Sequence, residues 1–404
     1  MDLEDSPPDA AFRAEVREWL GAHLVGEYAA LDGRGGSGDE SFGFAVRRRW
    51  ERELAAGGWT CLGWPQAAGG RGATIAQQVI FAEEYARSGA PGRVGVMGEG
   101  LLGPTLIHYG TRDQRERFLP PIRAGEELWC QGYSEPGAGS DLASVTTGAV
   151  REGGEWVVSG QKVWTSLAQQ ADWCFVLCRT DPGSSRHHGL SYLLVPMHQE
   201  GIEVRPITQM TGTSEFNEVF FDGARTALAN VVGAPGEGWR VALATLAFER
   251  GVAMLGHQLS FRAELDRLVG AARARNRTAD PSARQRLARA YAELAIMRWN
   301  SLRSLAGVDG PLAPPQASIA KLFWGTWHQR FCELAVDLLG MEAVAQLGAG
   351  GPGEPFARSF LFSRAETIYG GSNEIQRNVI GERVLGLAPE PRPEATRPHV
   401  VGTR

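Results

Sequence analysis

The sequence predicts an α+β protein built in the order helical, β-rich, helical. Three observations carry that reading. Apolar residues recur at three-to-four spacing up to about residue 125, and the same period returns at Gly238 and dominates to about residue 387. Between them the runs are short, β-branched or aromatic, and divided by Gly, Pro and Asp. The chain has 404 residues and is 43% hydrophobic, enough for two or three domains with real cores. The expected parts are a helical domain over 1–125, a β domain over 126–235, a helical bundle over 236–387 and a disordered Pro-rich tail over 388–404.

In the first part, Phe12, Val16, Trp19, Leu20 and Leu24 lie at helical spacing within Ala11–Leu24. A Gly-rich loop over 31–40 follows. Further helices are expected over Phe44–Ala56, Gln77–Ser88 and Gln114–Ile122, the last after a polar Thr111 start. The expected strands are Glu155–Gly160 after a Gly153-Gly154 turn, Trp173–Cys178, Leu190–Val195, Ile202–Pro206 and Glu218–Phe221. Long helices over Gly238–Leu268, Pro281–Ala306, Gln316–Leu339 and Phe356–Ile368 predict a bundle, with a short helix over Asn373–Leu385.

Composition excludes several classes. Net charge is −5, so no basic field draws nucleic acid. No run approaches the roughly eighteen apolar residues of a membrane span. The acidic start, Met1 to Pro8, is unlike a signal peptide. Five scattered Cys suit a reducing compartment, and a cytoplasmic location is expected. Cys174 and Cys178 would share one strand face but lack a second ligand pair, so they read as packing and no metal site is expected. His187-His188 reads as exposed loop.

Four stretches carry chemistry. Trp129-Cys-Gln-Gly-Tyr-Ser-Glu-Pro-Gly-Ala-Gly-Ser-Asp141 keeps backbone N–H groups accessible through its small residues, as a phosphate or a ring edge requires; an ordinary Gly-rich turn reads the same way. Gly160-Gln-Lys-Val-Trp-Thr-Ser166 sets a Trp among hydroxyls, able to stack on a flat ring or to fill a core. The third runs from Val241 to Leu255. It is a small, apolar helix in which Glu249 continues the line of Ala242, Leu246 and Ala253, so its carboxylate is either paired, with Arg250 or another group, or held for proton transfer. The fourth, Tyr369-Gly-Gly-Ser-Asn-Glu-Ile-Gln-Arg377, places two glycines where backbone must come close to something.

Over nearly the whole chain, these stretches and their order resemble the acyl-CoA dehydrogenase family. The first two look like its flavin-binding signatures and the last like its C-terminal signature. The resemblance implies a helical domain, a middle β-barrel or sandwich, and a four-helix bundle. It implies FAD between the β domain and the bundle, with an acyl-CoA thioester on one face of the flavin. A carboxylate takes the Cα proton as hydride leaves Cβ, giving the trans-2-enoyl thioester, and an electron-transfer flavoprotein accepts the electrons. By resemblance Gln131, Tyr133, Ser134, Gly139 and Ser140 meet the flavin edge, ribityl chain or pyrophosphate. Trp164 packs on the ring, Ser166 bonds near its N5 edge, Ser372 and Glu374 belong to the cofactor set, and Ser140 and Arg250 serve the substrate.

The family's usual base directly follows the signature Tyr, where this chain has Gly370. Some members carry the base on the first bundle helix in an acidic-residue-plus-Arg pair, which Glu249-Arg250 matches. Gly370 then offers its backbone N–H to the thioester carbonyl. Two further features depart from the pattern. The Arg-x-x-Phe-Gly stretch and the late Gln-Gly-Gly that hold a neighbour's FAD in homotetramers have no counterpart in Ala271–Arg284 or in Leu334–Ala343. That loss implies an α2β2 assembly with a second, related chain rather than a homotetramer. It resembles the actinobacterial enzymes of steroid side-chain degradation, as do Trp129-Cys-Gln131 and Lys321-Leu-Phe-Trp324. A bulky or branched acyl group would suit Gly370. Rival readings are a dehydrogenase of a carrier-protein thioester, a non-catalytic scaffold subunit and a flavin monooxygenase on the same fold.

Overall fold

The structure, a computed structural model, describes residues 5–36, 38–248, 253–306, 317–345 and 353–389. Five helices come first: α1 (Pro7–His23), α2 (Phe44–Ala56), α3 (Ile75–Arg87), α4 (Gly103–Tyr109) and α5 (Arg112–Arg123). Thr74 and Thr111 each close a reciprocal cap with the Gln three residues on, which fixes the starts of α3 and α5. The sequence reading missed α4 and the wide turn over Met97–Leu102 that leads into it. Its glycines read as breaks, but Gly103 is demanded by packing, since a Cβ there would lie 1.9 Å from the Trp64 ring.

Eight strands follow: β1 (Trp129–Gly132), β2 (Gly148–Glu152), β3 (Glu155–Ser166), β4 (Trp173–Arg179), β5 (Leu190–Pro196), β6 (Ile202–Ile207), β7 (Phe216–Ala227) and β8 (Val231–Val232). They form one sheet in the order β6-β7-β3-β2-β4-β5-β8, with β1 parallel to β4. The expected strands are present, and β3 and β7 extend well past the expected bounds as one long antiparallel ladder. The central strands are buried on both faces. Cys130, Cys174, Val176, Cys178 and Val195 fill one core, while Phe175, Leu177, Tyr192 and Leu194 pack on Leu102, Leu106, Phe118, Val241 and Ala242. Two covered faces explain why β4 and β5 read as continuous apolar runs. The five cysteines are free and buried, and among the described residues no His, Cys, Asp and Glu cluster could hold a metal ion.

The last part is helical: α6 (Gly238–Phe248), α7 (Ala253–Ala274), α8 (Pro281–Ala306), α9 (Ala317–Leu339), α10 (Met341–Ala345), α11 (Glu354–Phe362) and α12 (Asn373–Val379). Phe261, Leu265, Leu268, Leu287, Leu294, Trp327, Phe331 and Leu338 form the bundle core. Two expectations need correction. The helix expected over Phe356–Ile368 stops at Phe362 and gives way to a tight turn over Ala365–Thr367. The helix expected to Leu385 ends at Val379 and widens, with the Leu385 N–H reaching the Ile380 carbonyl. Glu249 and Arg250, and all but the start of the expected tail, lie outside the described residues. No described helix is long and apolar enough to cross a membrane.

Candidate active site

The first signature leaves β1 at Gly132, where a Cβ would lie 2.9 Å from Cys174 Sγ. Tyr133 turns its side chain inward. Its ring is buried and meets Phe175 and Tyr192 edge-on, so it packs into the sheet core. Glu135 and Ala138 exchange backbone hydrogen bonds and close a tight turn. Gly137 within the turn, and Gly139 and Ser140 after it, are exposed. A Cβ at 137 or 139 would meet nothing, so these glycines keep the backbone accessible rather than avoid a clash. Ser134 is half-buried. Gln131 Nε2 is buried without a hydrogen-bond partner among the described residues.

The second signature lies on β3, where pairing to β7 shifts between Lys162 and Thr165. At that bulge Trp164 takes a left-handed backbone (φ 61°) and its side chain is 58% exposed. An exposed indole on strained backbone at a bulge is a feature of functional sites. Its edge rests on Phe216. Ser166 is half-buried, and beside it Thr165 Oγ1 and Asn217 Oδ1 are buried without hydrogen-bond partners among the described residues. The two signatures are tied directly: the Val163 N–H donates to the Ser134 carbonyl at 2.9 Å.

A residue pair that the sequence reading missed locks this junction. Lys162 is fully buried and donates from Nζ to the Tyr133 carbonyl (2.9 Å), Glu135 Oε1 (2.9 Å) and the Leu177 carbonyl (2.7 Å). Glu135 also accepts from the Thr146 and Thr147 N–H groups (2.7 and 2.8 Å). Burial alone would raise the Glu135 carboxyl, but Lys162 and these donors hold it down at about 2. The signal was present: counting by twos from inward-facing Val158 puts Lys162 inward too. Lys162→Met is therefore expected to destabilise the protein at neutral pH by about 3–5 kcal/mol, the cost of an orphaned buried charge. The pair's contribution is complete above the unfolded carboxyl value of 4.5 and is lost as pH falls towards about 2, so the gap in stability to the parent should close over that window. Urea titrations at several pH values check this, and a constant gap would contradict it.

The third signature sits on the bundle. Gly370 and Gly371 both take left-handed backbone (φ 62° and 88°), which a side chain would strain. Gln376, fully buried, donates from Nε2 to the Gly370 carbonyl at 3.0 Å and so fixes the turn. Ser372 caps α12 through the Ile375 N–H, which makes its hydroxyl structural here. Glu374 points outward, with Arg377 3.6 Å away. The first two signatures thus share one junction on the sheet, and the third is held separately against α9.

The donors and the exposed indole fit a flat ring with a polar edge and a phosphate-bearing tail. Comparison with known proteins identifies relatives over nearly the whole chain. Family models described as the N-terminal, middle and C-terminal domains of acyl-CoA dehydrogenase match residues 6–126, 130–224 and 236–385. Acyl-CoA dehydrogenase IpdE1 of Mycobacterium tuberculosis is 57% identical over 381 residues, covering 94% of this chain and 98% of that protein. IpdE1 of Mycolicibacterium smegmatis is 54% identical over 389 residues, covering 94% and 98%. Among solved structures, the Tcur3481-Tcur3483 steroid ACAD superposes with a TM-score of 0.84 at 31% identity, covering 96% of this chain and 100% of that one. A chain of the ChsE4-ChsE5 complex from Mycobacterium tuberculosis gives 0.78 at 31%, covering 97% and 100%.

Proposed function

The chain belongs to the acyl-CoA dehydrogenase family, a flavin-dependent family of enzymes acting on CH–CH groups, and from that premise we propose that it uses FAD to desaturate a bulky, steroid-type acyl-CoA between Cα and Cβ. The observation that carries the flavin assignment is Trp164, exposed and held in left-handed backbone beside the clamped 133–140 turn. Gln131, Ser134, Gly139, Ser140 and Ser166, with the backbone of Tyr133, would hold the cofactor there. Glu374 points outward from α12, as a group serving a shared cofactor site would. FAD, when bound, supplies the hydride acceptor.

The chain's own residues have two tasks. A thioester α-proton is far too weakly acidic for a free carboxylate near pKa ~4.3. The Gly370 N–H would bond the carbonyl oxygen and stabilise the negative charge that develops on it. Glu249 would take the α-proton, its basicity raised by an apolar, water-poor pocket. Ser140 and Arg250 would steady the substrate. The missing side chain at Gly370 leaves room beside Cα for a branched or polycyclic acyl group, which agrees with the steroid enzyme among the structural relatives.

The assembly we propose is α2β2 with a second, related chain, and an electron-transfer flavoprotein as acceptor. Two structural relatives are named as pairs of chains. Exposed Ile296 and Trp299 on α8 offer an apolar stripe for such a partner. The test of substrate class is kcat/KM for a polycyclic acyl-CoA against a straight-chain acyl-CoA of similar carbon number. The polycyclic substrate should win by about 10²-fold or more, as a pocket shaped for it would give. Equal or reversed values would overturn the steroid assignment and leave the dehydrogenase standing.

A further inference from the structure

The turn that carries Gly370 is held by more than its own backbone. Gln329 on α9 donates from Nε2 to the Ser363 carbonyl (3.0 Å) and to Thr367 Oγ1 (3.1 Å). Buried Lys321 donates to the Glu366 carbonyl at 2.7 Å. Gly325 allows this close approach of α9, since a Cβ there would lie 2.9 Å from that same oxygen. The remaining tie is ionic. His328 is 3% exposed, and Phe261 stacks on its ring. Its Nδ1 lies 2.7 and 2.9 Å from the two Glu366 oxygens, and its Nε2 lies 3.0 Å from Glu264 Oε2.

A carboxylate only accepts hydrogen bonds, so an imidazole between two of them must carry both protons. Burial works against that charge, but Cys332, Glu264 and Glu366 around the ring outweigh it, and His328 stays protonated well above its ordinary range. Loss of the imidazolium would leave two carboxylates facing each other with nothing between them. The two carboxylates belong to different elements of the bundle. Glu264 is on α7, the helix that follows Glu249 in the chain, and Glu366 stands four residues before Gly370.

We propose that His328 is a positioning residue for the α-proton transfer: by bridging Glu264 and Glu366 it sets the Gly370 N–H at a fixed distance from α7. The proposal rests on the dehydrogenase reading above. A misplaced carbonyl donor costs the transition state more than the bound substrate. His328→Ala should therefore lower kcat by about 10²-fold with KM nearly unchanged, the penalty of a shift near an ångström. Added imidazole, which fits the space left by the ring, should restore a large part of kcat. Glu264→Gln, a milder change at a partly exposed carboxylate, should lower kcat several-fold at the same KM, and it decides the matter if His328→Ala does not fold. Parental kcat in either folded variant, or a raised KM at unchanged kcat, overturns the proposal. A parent enzyme that desaturates no acyl-CoA sinks the dehydrogenase reading together with this one, whereas an active parent with an equally active His328→Ala sinks only this one.

Discussion

Glu249→Gln is expected to lower kcat by about 10²–10⁴-fold, the range that a positioned general base contributes, with folding and flavin content unchanged. Gln keeps the size and polarity of the side chain but cannot take a proton from Cα. The position after Tyr369, where the family's usual base stands, holds Gly370, so no second carboxylate is on hand there to take over. The rival reading of the same residue is a structural ion pair with Arg250. It makes the opposite forecast, because a broken pair lowers stability and leaves kcat alone. Exchange of the substrate's α-protons with deuterated water separates the two readings. The variant should lose exchange along with turnover if Glu249 is the base, and should keep both if it is a pairing group.

Purified alone, the chain is expected to carry little flavin, and co-expression with a related dehydrogenase chain is expected to restore it. The junction of 131–140 with 162–166 supplies groups for a ring and its polar edge. The stretches that hold the neighbour's end of the cofactor in homotetrameric members have no counterpart in 271–284 or 334–343. A cofactor gripped at one end loses most of its binding free energy, and stable loading then needs the second chain. The measurement is visible absorbance per chain, alone and with the partner. A full complement of flavin on a homotetramer of this chain would contradict the mixed assembly.

Much of the fold was legible because its signals are local. Helical and strand periods separate the three parts, and Thr74 and Thr111 mark helix starts in the sequence itself. What could not be read depends on distant partners. Gly103 reads as a break until the Trp64 ring is seen against it. The helix before Thr367 is cut short where Gln329 and Lys321 on α9 bond the carbonyls of Ser363 and Glu366. Within the candidate site, the exposure of Trp164 follows from its bulge, whereas the inward turn of Tyr133 could not be read from its motif. Its ring turns inward because Phe175 and Tyr192, far along the chain, complete a core for it. The bridge of Glu264, His328 and Glu366 was invisible for the same reason, since its members come from three separate elements.

The dehydrogenase assignment stands or falls on whether this chain removes hydrogen from an acyl thioester. The direct test is a single turnover without oxygen, in which the flavin-loaded enzyme is mixed with a saturated polycyclic acyl-CoA and the flavin absorbance is followed to completion. Bleaching in proportion to the substrate added is expected, with a product lighter by two hydrogens that carries a Cα–Cβ double bond. Flavin that stays oxidised with every saturated acyl-CoA, in a complex that binds them, would contradict it.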